Sequence, residues 1–361
     1  TNHQSPSFLV NYRYSFTGLL TAMGADFGDE ETAYQDVAFH VALPGKKGGK
    51  LSFFGMGGKS YTLYRSPTDS ATIEKELFNI DFNSKMGAAG LTYVKPFGKH
   101  SVWRTVAVLS ALEHVRTADL VVTQSPTKHP QEDELKQQKS SLSSVFSHKI
   151  NAQQRWKAGF EATYFNDSFY SNYDNQKVNY IDDGHIPGTL LQPYFDWDAQ
   201  LGGNWEISAG LHGTINSSYI NRLLLEPRFT ANYDAGAGKF GISYGLHSQS
   251  LPVQIRSIDE WEEEAPIRAH HFMARYQLEI PNAIIFKVET YFQKLFKVPI
   301  YDVEGSTFST INFSDFSQSY LGPLQDSGPI FFSNHGKGRN YGLDISLQKY
   351  LTDRFFFLLA G

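Results

Sequence analysis

The chain has 361 residues, no cysteine and a formal net charge of −5 at pH 7. The missing thiols exclude a disulfide framework, a thiolate metal centre and a cysteine nucleophile, and the mild acidity gives no basic footprint for nucleic acid. Phe and Tyr dominate an aromatic content of 15%, yet the mean hydropathy is negative. No run of about eighteen apolar residues is present to form a transmembrane helix.

Along the chain, compact polar turns alternate with longer polar connections between runs of alternating apolar and polar residues. The tight turns fall near Pro44 to Gly49, Pro96 to His100, Ile150 to Arg155, Gly202 to Asn204, Asp234 to Lys239, Pro281 to Asn282 and Thr352 to Arg354. The long connections are expected from Gly24 to Ala33, Lys59 to Phe78, Glu113 to Ser140, Asn166 to Gly188, Asn216 to Arg222, Ser248 to Pro266 and Val298 to Gly336. A soluble sandwich has no reason to keep all its long loops at one end. A bacterial barrel puts tight turns in the periplasm and long loops outside.

The runs have the period of strands. Trp205, Ile207, Ala209, Leu211 and Ile215 oppose Glu206, Ser208, His212 and Thr214. Next, Leu223, Leu225, Pro227, Phe229, Ala231 and Tyr233 oppose Glu226, Arg228, Thr230 and Asn232, and then Phe240, Ile242, Tyr244 and Leu246 oppose Ser243, His247 and Gln249. Further on, Phe286, Val288, Thr290 and Phe292 oppose Lys287, Glu289 and Gln293, and Tyr341, Leu343, Ile345 and Leu347 oppose Asp344, Ser346 and Gln348. A period of two puts each set on its own face of a strand. Runs of about ten residues suit a tilted transmembrane strand. The fold class is therefore all-β, a large antiparallel transmembrane β-barrel.

Trp103, Trp156, Trp205, Tyr233, Phe240 and the triplet Phe355 to Phe357 sit beside tight turns, as rings of a periplasmic aromatic girdle would. Charge gathers in Gln131 to Lys139 and in Asp259 to Glu264, both expected as solvated loop faces; neither has the spacing of a calcium loop. Three motifs that suggest other chemistry fail on context. Gly241-Ile242-Ser243-Tyr244-Gly245 matches a nucleophile elbow but lies inside an alternating run, without the strand-to-helix turn that elbow needs. Gly58-Lys59-Ser60 lacks the first glycine and following helix of a phosphate loop. His270 and His271 are adjacent, so in a strand they point to opposite faces and cannot share a metal. No cofactor and no catalysis is expected.

The chain begins without Met or leader, near a strand at Phe8, and stops inside a run at Phe355 to Gly361. About 15 runs, against the even number with which single-chain bacterial barrels close, make residues 1–361 a partial barrel domain by expectation. Irregular connection lengths argue against a propeller or solenoid.

These residues resemble the barrel of a TonB-dependent outer-membrane receptor of the Bacteroidota type, which carries a carboxypeptidase-regulatory-like domain ahead of a plug. The resembling pieces run from Asn11-Tyr12-Arg13-Tyr14-Ser15 with Gly18-Leu19-Leu20, through Tyr34-Gln35-Asp36 and Gly49 to Gly58, to Glu226-Pro227-Arg228 and Gly245-Leu246-His247-Ser248-Gln249. Glu289 to Leu295 and Gly338-Arg339-Asn340-Tyr341-Gly342-Leu343-Asp344 complete them. The resemblance implies 22 strands, a lumen closed by an N-terminal plug outside this segment, and import powered by the TonB complex. Outer-membrane lipid and lipopolysaccharide would surround the barrel. Some such receptors work with a lipoprotein lid, and these residues leave its presence here open.

Strand direction locates a candidate ligand wall. Inward residues far from the tight turns are His212, Glu226, Arg228, His247, Gln249, His271 and Gln293, with Thr214 and Tyr291 beside them; Arg and His there suit carboxylates, phosphates or polar groups. Glu206, Lys287 and Glu289, nearer the periplasm, are expected to contact the plug. Two functions follow: an importer of a scarce small or oligomeric nutrient such as a siderophore, oligopeptide or glycan, or a structural or secretion-associated barrel that binds a protein partner through its loops.

Overall fold

A computed structural model describes residues 5–15, 23–24, 30–45, 48–66, 78–121, 131–173, 176–177, 185–219, 223–256, 265–301, 309, 332–352 and 354–361. The strands are β1 (Ser7–Tyr14), β2 (Glu30–Pro44), β3 (Lys50–Tyr64), β4 (Phe78–Phe97), β5 (Ser101–Leu120), β6 (Gln131–Lys149), β7 (Gln154–Tyr173) and the stub β8 (Gln176–Lys177). They continue as β9 (Ile186–Leu201), β10 (Trp205–Asn216), β11 (Leu223–Asp234), β12 (Gly238–Gln249), β13 (Ile267–Ile280), β14 (Ile284–Tyr301), β15 (Phe332–Thr352) and β16 (Phe355–Ala360). One helical turn, α1 (Val253–Arg256), lies between β12 and β13.

Apart from the stub β8, every described strand pairs antiparallel with the next, giving one sheet in the order β1 to β7 then β9 to β16, with β8 attached to β7. All seven expected tight turns join consecutive strands. Two of them show why short hairpin turns select particular residues. Gly202 and Gly203 have φ of 59° and 81°, and Asn282 and Ala283 have 68° and 57°. Two successive left-handed residues match the twist of the flanking strands, and only Ala283 of these four is poorly suited to that region.

Register carries the face assignment across the whole sheet. Leu211 lies between Phe195 and Pro227, Tyr244 opposes Phe272, and Phe272 opposes Phe292, which opposes Tyr341. The apolar face is exposed: Leu211 is 48% accessible and Leu109 65%. In lipid this is the stable arrangement, because the ladder satisfies the backbone and apolar side chains meet acyl chains. Near the tight turns, outward rings touch one another. Tyr93 meets Trp103 at 6.4 Å, Phe146 meets Trp156 at 5.7 Å, Trp156 meets Phe195 at 6.1 Å, Trp205 meets Tyr233 at 4.9 Å and Phe240 meets Tyr276 at 4.7 Å. These rings form the expected girdle.

Four of the long connections, those after β3, β5, β7 and β14, are shorter than expected because their strands run on, whereas the first lies between Tyr14 and Glu30 rather than between Gly24 and Ala33. β4, β5 and β7 have 20 residues and β15 has 21, about twice what a membrane crossing needs. The stretch Gln131 to Lys139, expected as a solvated loop, is the outer half of β6. Charge pairs help hold it there: Arg116 on β5 reaches the buried Asp133 at 3.2 Å, Glu113 on β5 lies 3.9 Å from Lys136, and within β6 Lys136 pairs with Glu134 at 2.6 Å. The stretch Asp259 to Glu264 lies outside the described residues.

Candidate ligand site on the inner wall

The inner face of β9 to β14 carries two polar rows. In the first, ladder partners run Asp196, Gly210, Arg228, Gly245, His271 and Gln293. The second, one step further from the tight turns, runs Tyr194, His212 and Glu226. The two glycines leave gaps that larger neighbours fill. A methyl group on Gly245 would collide with His247 Nε2, and one on Gly210 with Asp196 Oδ1. His247 therefore leans over Gly245 towards His271, their ring centroids 4.6 Å apart.

The polar groups interlock. His212 Nε2 lies 3.4 Å from Asp196 Oδ1, and its ring stacks on Tyr194 at 5.2 Å. A guanidinium nitrogen of Arg228 lies 3.4 Å from Glu226 Oε2, and Glu226 is only 4% accessible. The β11–β12 ladder ends at Arg228 and Gly245; beyond it Ser248 Oγ donates to Glu226 Oε1. Asn340 Nδ2 donates to Gln293 Oε1 at 3.3 Å. Gln249 stands further out, opposite Ile267. Thus six of the seven expected wall residues form one continuous patch, and Gln249 marks its rim. Arg228 Nε is buried with no hydrogen-bond partner among the described residues, so a donor points inward unused.

Alternation in β9 could have revealed two members that the sequence reading missed. These are Tyr194 and Asp196, which with Asp198 face inward against outward Phe195, Trp197 and Ala199. A third feature lay beyond sequence patterns. From Leu251 to Arg256 the β12–β13 connection crosses the concave side to β7. There Val253 packs on Leu135 and Phe169, Arg256 Nη1 lies 3.6 Å from Asp167 Oδ2, and the guanidinium sits 4.9 Å over the Phe165 ring. Both charged side chains are at most 5% accessible. Tyr219 in the β10–β11 connection donates to Ser250 Oγ at 2.8 Å. Two outer connections are thereby tied together above the wall.

The three residues expected to meet a plug lie towards the tight turns. Glu206 opposes Gln200 and Asn232, Lys287 opposes Gln277 and Ser346, and Glu289 opposes Arg275 and Asp344. Glu206 helps line a polar concavity of about 420 Å³ with Arg155 and Asp198, which pair at 2.8 Å. A larger, more apolar hollow of about 910 Å³, between Phe39, Phe53, Leu109, Leu142, Tyr164 and Leu191, opens on the lipid-facing side. Acyl chains would fill it, so it does not mark a ligand site. His270, as expected, faces away from His271: it meets Tyr244 and Phe296 on the outer face.

The sheet order, the tight-turn asymmetry and the two-faced strands define the class of fold, a large outer-membrane-receptor type of β-barrel. No family model and no curated protein sequence matches the chain. Solved structures do. The ferric-catecholate import receptor Fiu of Escherichia coli K12 aligns over 98% of this chain and 61% of its own, with a TM-score of 0.64 and 11% identity. The siderophore receptor PirA of Acinetobacter baumannii aligns over 96% and 56%, with a TM-score of 0.65 and 10% identity. The receptor FpvAI, in complex with pyocin S2, aligns over 96% and 50%, with a TM-score of 0.63 and 10% identity. The chain spans about half to three fifths of these receptors. At such identity the likeness is one of fold.

Proposed function

We propose that this chain is the larger part of the barrel of a TonB-dependent importer in the outer membrane, of the Bacteroidota type that carries a plug and a further N-terminal domain. The plug rests on Glu206, Lys287 and Glu289 inside the lumen. A nutrient ligand, such as a siderophore, oligopeptide or glycan, meets the wall formed by His212, Glu226, Arg228, His247, His271 and Gln293, with Gln249 at its edge. The observation that carries this reading is the unused buried Nε of Arg228 among imidazoles and a carboxylate, in a fold shared with import receptors. A buried guanidinium donor costs about 1–3 kcal/mol or more when left unmade, and an acceptor on a ligand would satisfy it.

The test is uptake in cells. Import of the ligand stops when the TonB system is removed, while surface binding persists. Exchanging Arg228 and His247 together for Ala weakens that binding without lowering barrel yield. In planar bilayers the intact protein conducts little, and deleting the upstream plug opens a large pore. Uptake that continues unchanged without TonB would refute the importer and favour a barrel that binds a protein partner through its outer connections.

A further inference from the structure

On the lipid-facing side of β13, β14 and β15, ladder partners form level rows. Nearest the outside stand Arg268, Phe296 and Lys337; then His270, Lys294 and Arg339; then Phe272, Phe292 and Tyr341. The row of His270, Lys294 and Arg339 lies ten residues along β13 and β14 from the terminal pair Ile280 and Ile284. At about 3.3 Å per residue and a tilt of about 40°, that is about 25 Å, the height of the apolar band of such barrels. The basic rows therefore sit where acyl chains give way to headgroups on the outer side.

Their charge is unmatched. Lys294 and Arg339 are direct cross-strand partners, an arrangement that like charges destabilise. Among the described residues no carboxylate lies within ion-pair distance of Lys294, Lys337 or Arg339, all of them exposed. Arg268 Nη2 donates to the Leu225 carbonyl and the guanidinium lies 5.5 Å from the Phe296 ring centre, while its Nε is buried without a partner. At a similar height on the same face of β4 to β6 the cations have carboxylate partners: Lys85 pairs with Glu113 at 2.9 Å and Lys136 with Glu134 at 2.6 Å, while Lys59, beside Lys85 on β3, stands alone rather than in a cluster. Below the basic rows lies a shelf of rings, with Tyr244 and Phe272 at 5.1 Å and Phe272 and Phe292 at 6.5 Å.

Four cations over an aromatic shelf complement a molecule with clustered phosphates above several acyl chains. We infer that Arg268, Lys294, Lys337 and Arg339 form a binding site for a phosphorylated glycolipid of the outer leaflet. The phosphates bridge Lys294, Lys337 and Arg339, charge-assisted bonds replace the repulsion between them, and the acyl chains lie on Phe272, Phe292 and Tyr341. The inference rests on the outer-membrane reading above, though not on import.

The experiment uses the full-length protein in nonionic detergent, titrated with mixed micelles carrying bis-phosphorylated lipid A, with the same lipid after dephosphorylation, and with inorganic phosphate. Binding is read by native mass spectrometry. The phosphorylated lipid binds about tenfold tighter or more than the dephosphorylated one, and millimolar inorganic phosphate does not displace it. The triple exchange Lys294→Gln, Lys337→Gln, Arg339→Gln abolishes that preference. The single exchange Arg339→Gln, which leaves the strand pairing untouched, reduces it about threefold. Lys95→Gln, on the outward face by the tight turns, retains it. A triple variant that keeps the preference, displacement by inorganic phosphate alone, or equal loss in Lys95→Gln overturns the site. Preference retained by a protein whose uptake ignores TonB refutes the proposed function and leaves this site standing.

Discussion

Replacing Leu211 by Arg tests the division of the sheet into two faces. Leu211 lies six residues along β10 from Trp205, the girdle residue at its start, so at about 3.3 Å per residue and a tilt of about 40° it stands about 15 Å above that ring. That is close to the middle of a band about 25 Å tall. Its side chain is 48% accessible between Phe195 and Pro227, so an Arg would clash with little and the cost would be that of a guanidinium among acyl chains. The expected loss is about 2–4 kcal/mol, or about 30- to 1000-fold in the folding equilibrium. The adjacent His212→Gln removes a 3.4 Å approach to Asp196 and a stacked Tyr194, in a wet interior where such contacts are worth about 1 kcal/mol. The assay is reversible denaturant unfolding of the full-length protein in lipid vesicles, with Leu211→Ala as the size control. Similar losses for Leu211→Arg and His212→Gln would refute the assigned faces.

A cysteine placed at Thr127, between β5 and β6, should react with a membrane-impermeant thiol reagent on intact cells, and one at Ala237, in the β11–β12 turn, should not; equal labelling would invert or abolish the topology. Arg256→Ala removes the cation beside buried Asp167, which keeps the 3.3 Å hydrogen bond from Gln137 Nε2, a loss of up to about 3 kcal/mol that falls on the docking of α1 rather than on the barrel. Limited proteolysis should then cut the β12–β13 connection faster at unchanged barrel stability, and an unchanged cutting rate would mean the ion pair does not hold the connection down. Ala283→Gly relieves a left-handed residue and should stabilise the protein by about 1 kcal/mol, read as a raised unfolding midpoint. Gly245→Ala should displace His247 and lower ligand binding without changing the unfolding free energy by more than about 1 kcal/mol; unaltered binding would remove His247 from the ligand wall.

The strands between Gly203 and Gln293 were legible because lipid on one side and water on the other enforce alternation residue by residue, and the inward members of the wall came with them. The outer half of β6 was not legible. Beyond the bilayer nothing demands apolar residues, and Gln131 to Lys139 is held by partners such as Arg116 and Lys85's neighbour Glu113 that lie on another strand. The docking of Val253 and Arg256 on β7 was hidden for a similar reason: it joins segments about ninety residues apart, and no local period encodes it. Likewise the lean of His247 depends on what Gly245 lacks, a matter of room rather than of pattern.

Strictly sequential strand order has a mechanical consequence. Among the described residues no strand is inserted between earlier ones, so each hairpin is fastened to the rest mainly by the ladder on its leading edge, with the docking of α1 on β7 as a further tie. A chain pulled from one end should therefore leave the membrane in instalments, one hairpin per force peak, while the remainder keeps its pairing. The spacing of the peaks would follow the hairpins: longer chain releases for those built on β4 to β7, whose strands outrun the bilayer, and shorter ones for β10 to β12, at 12 residues each.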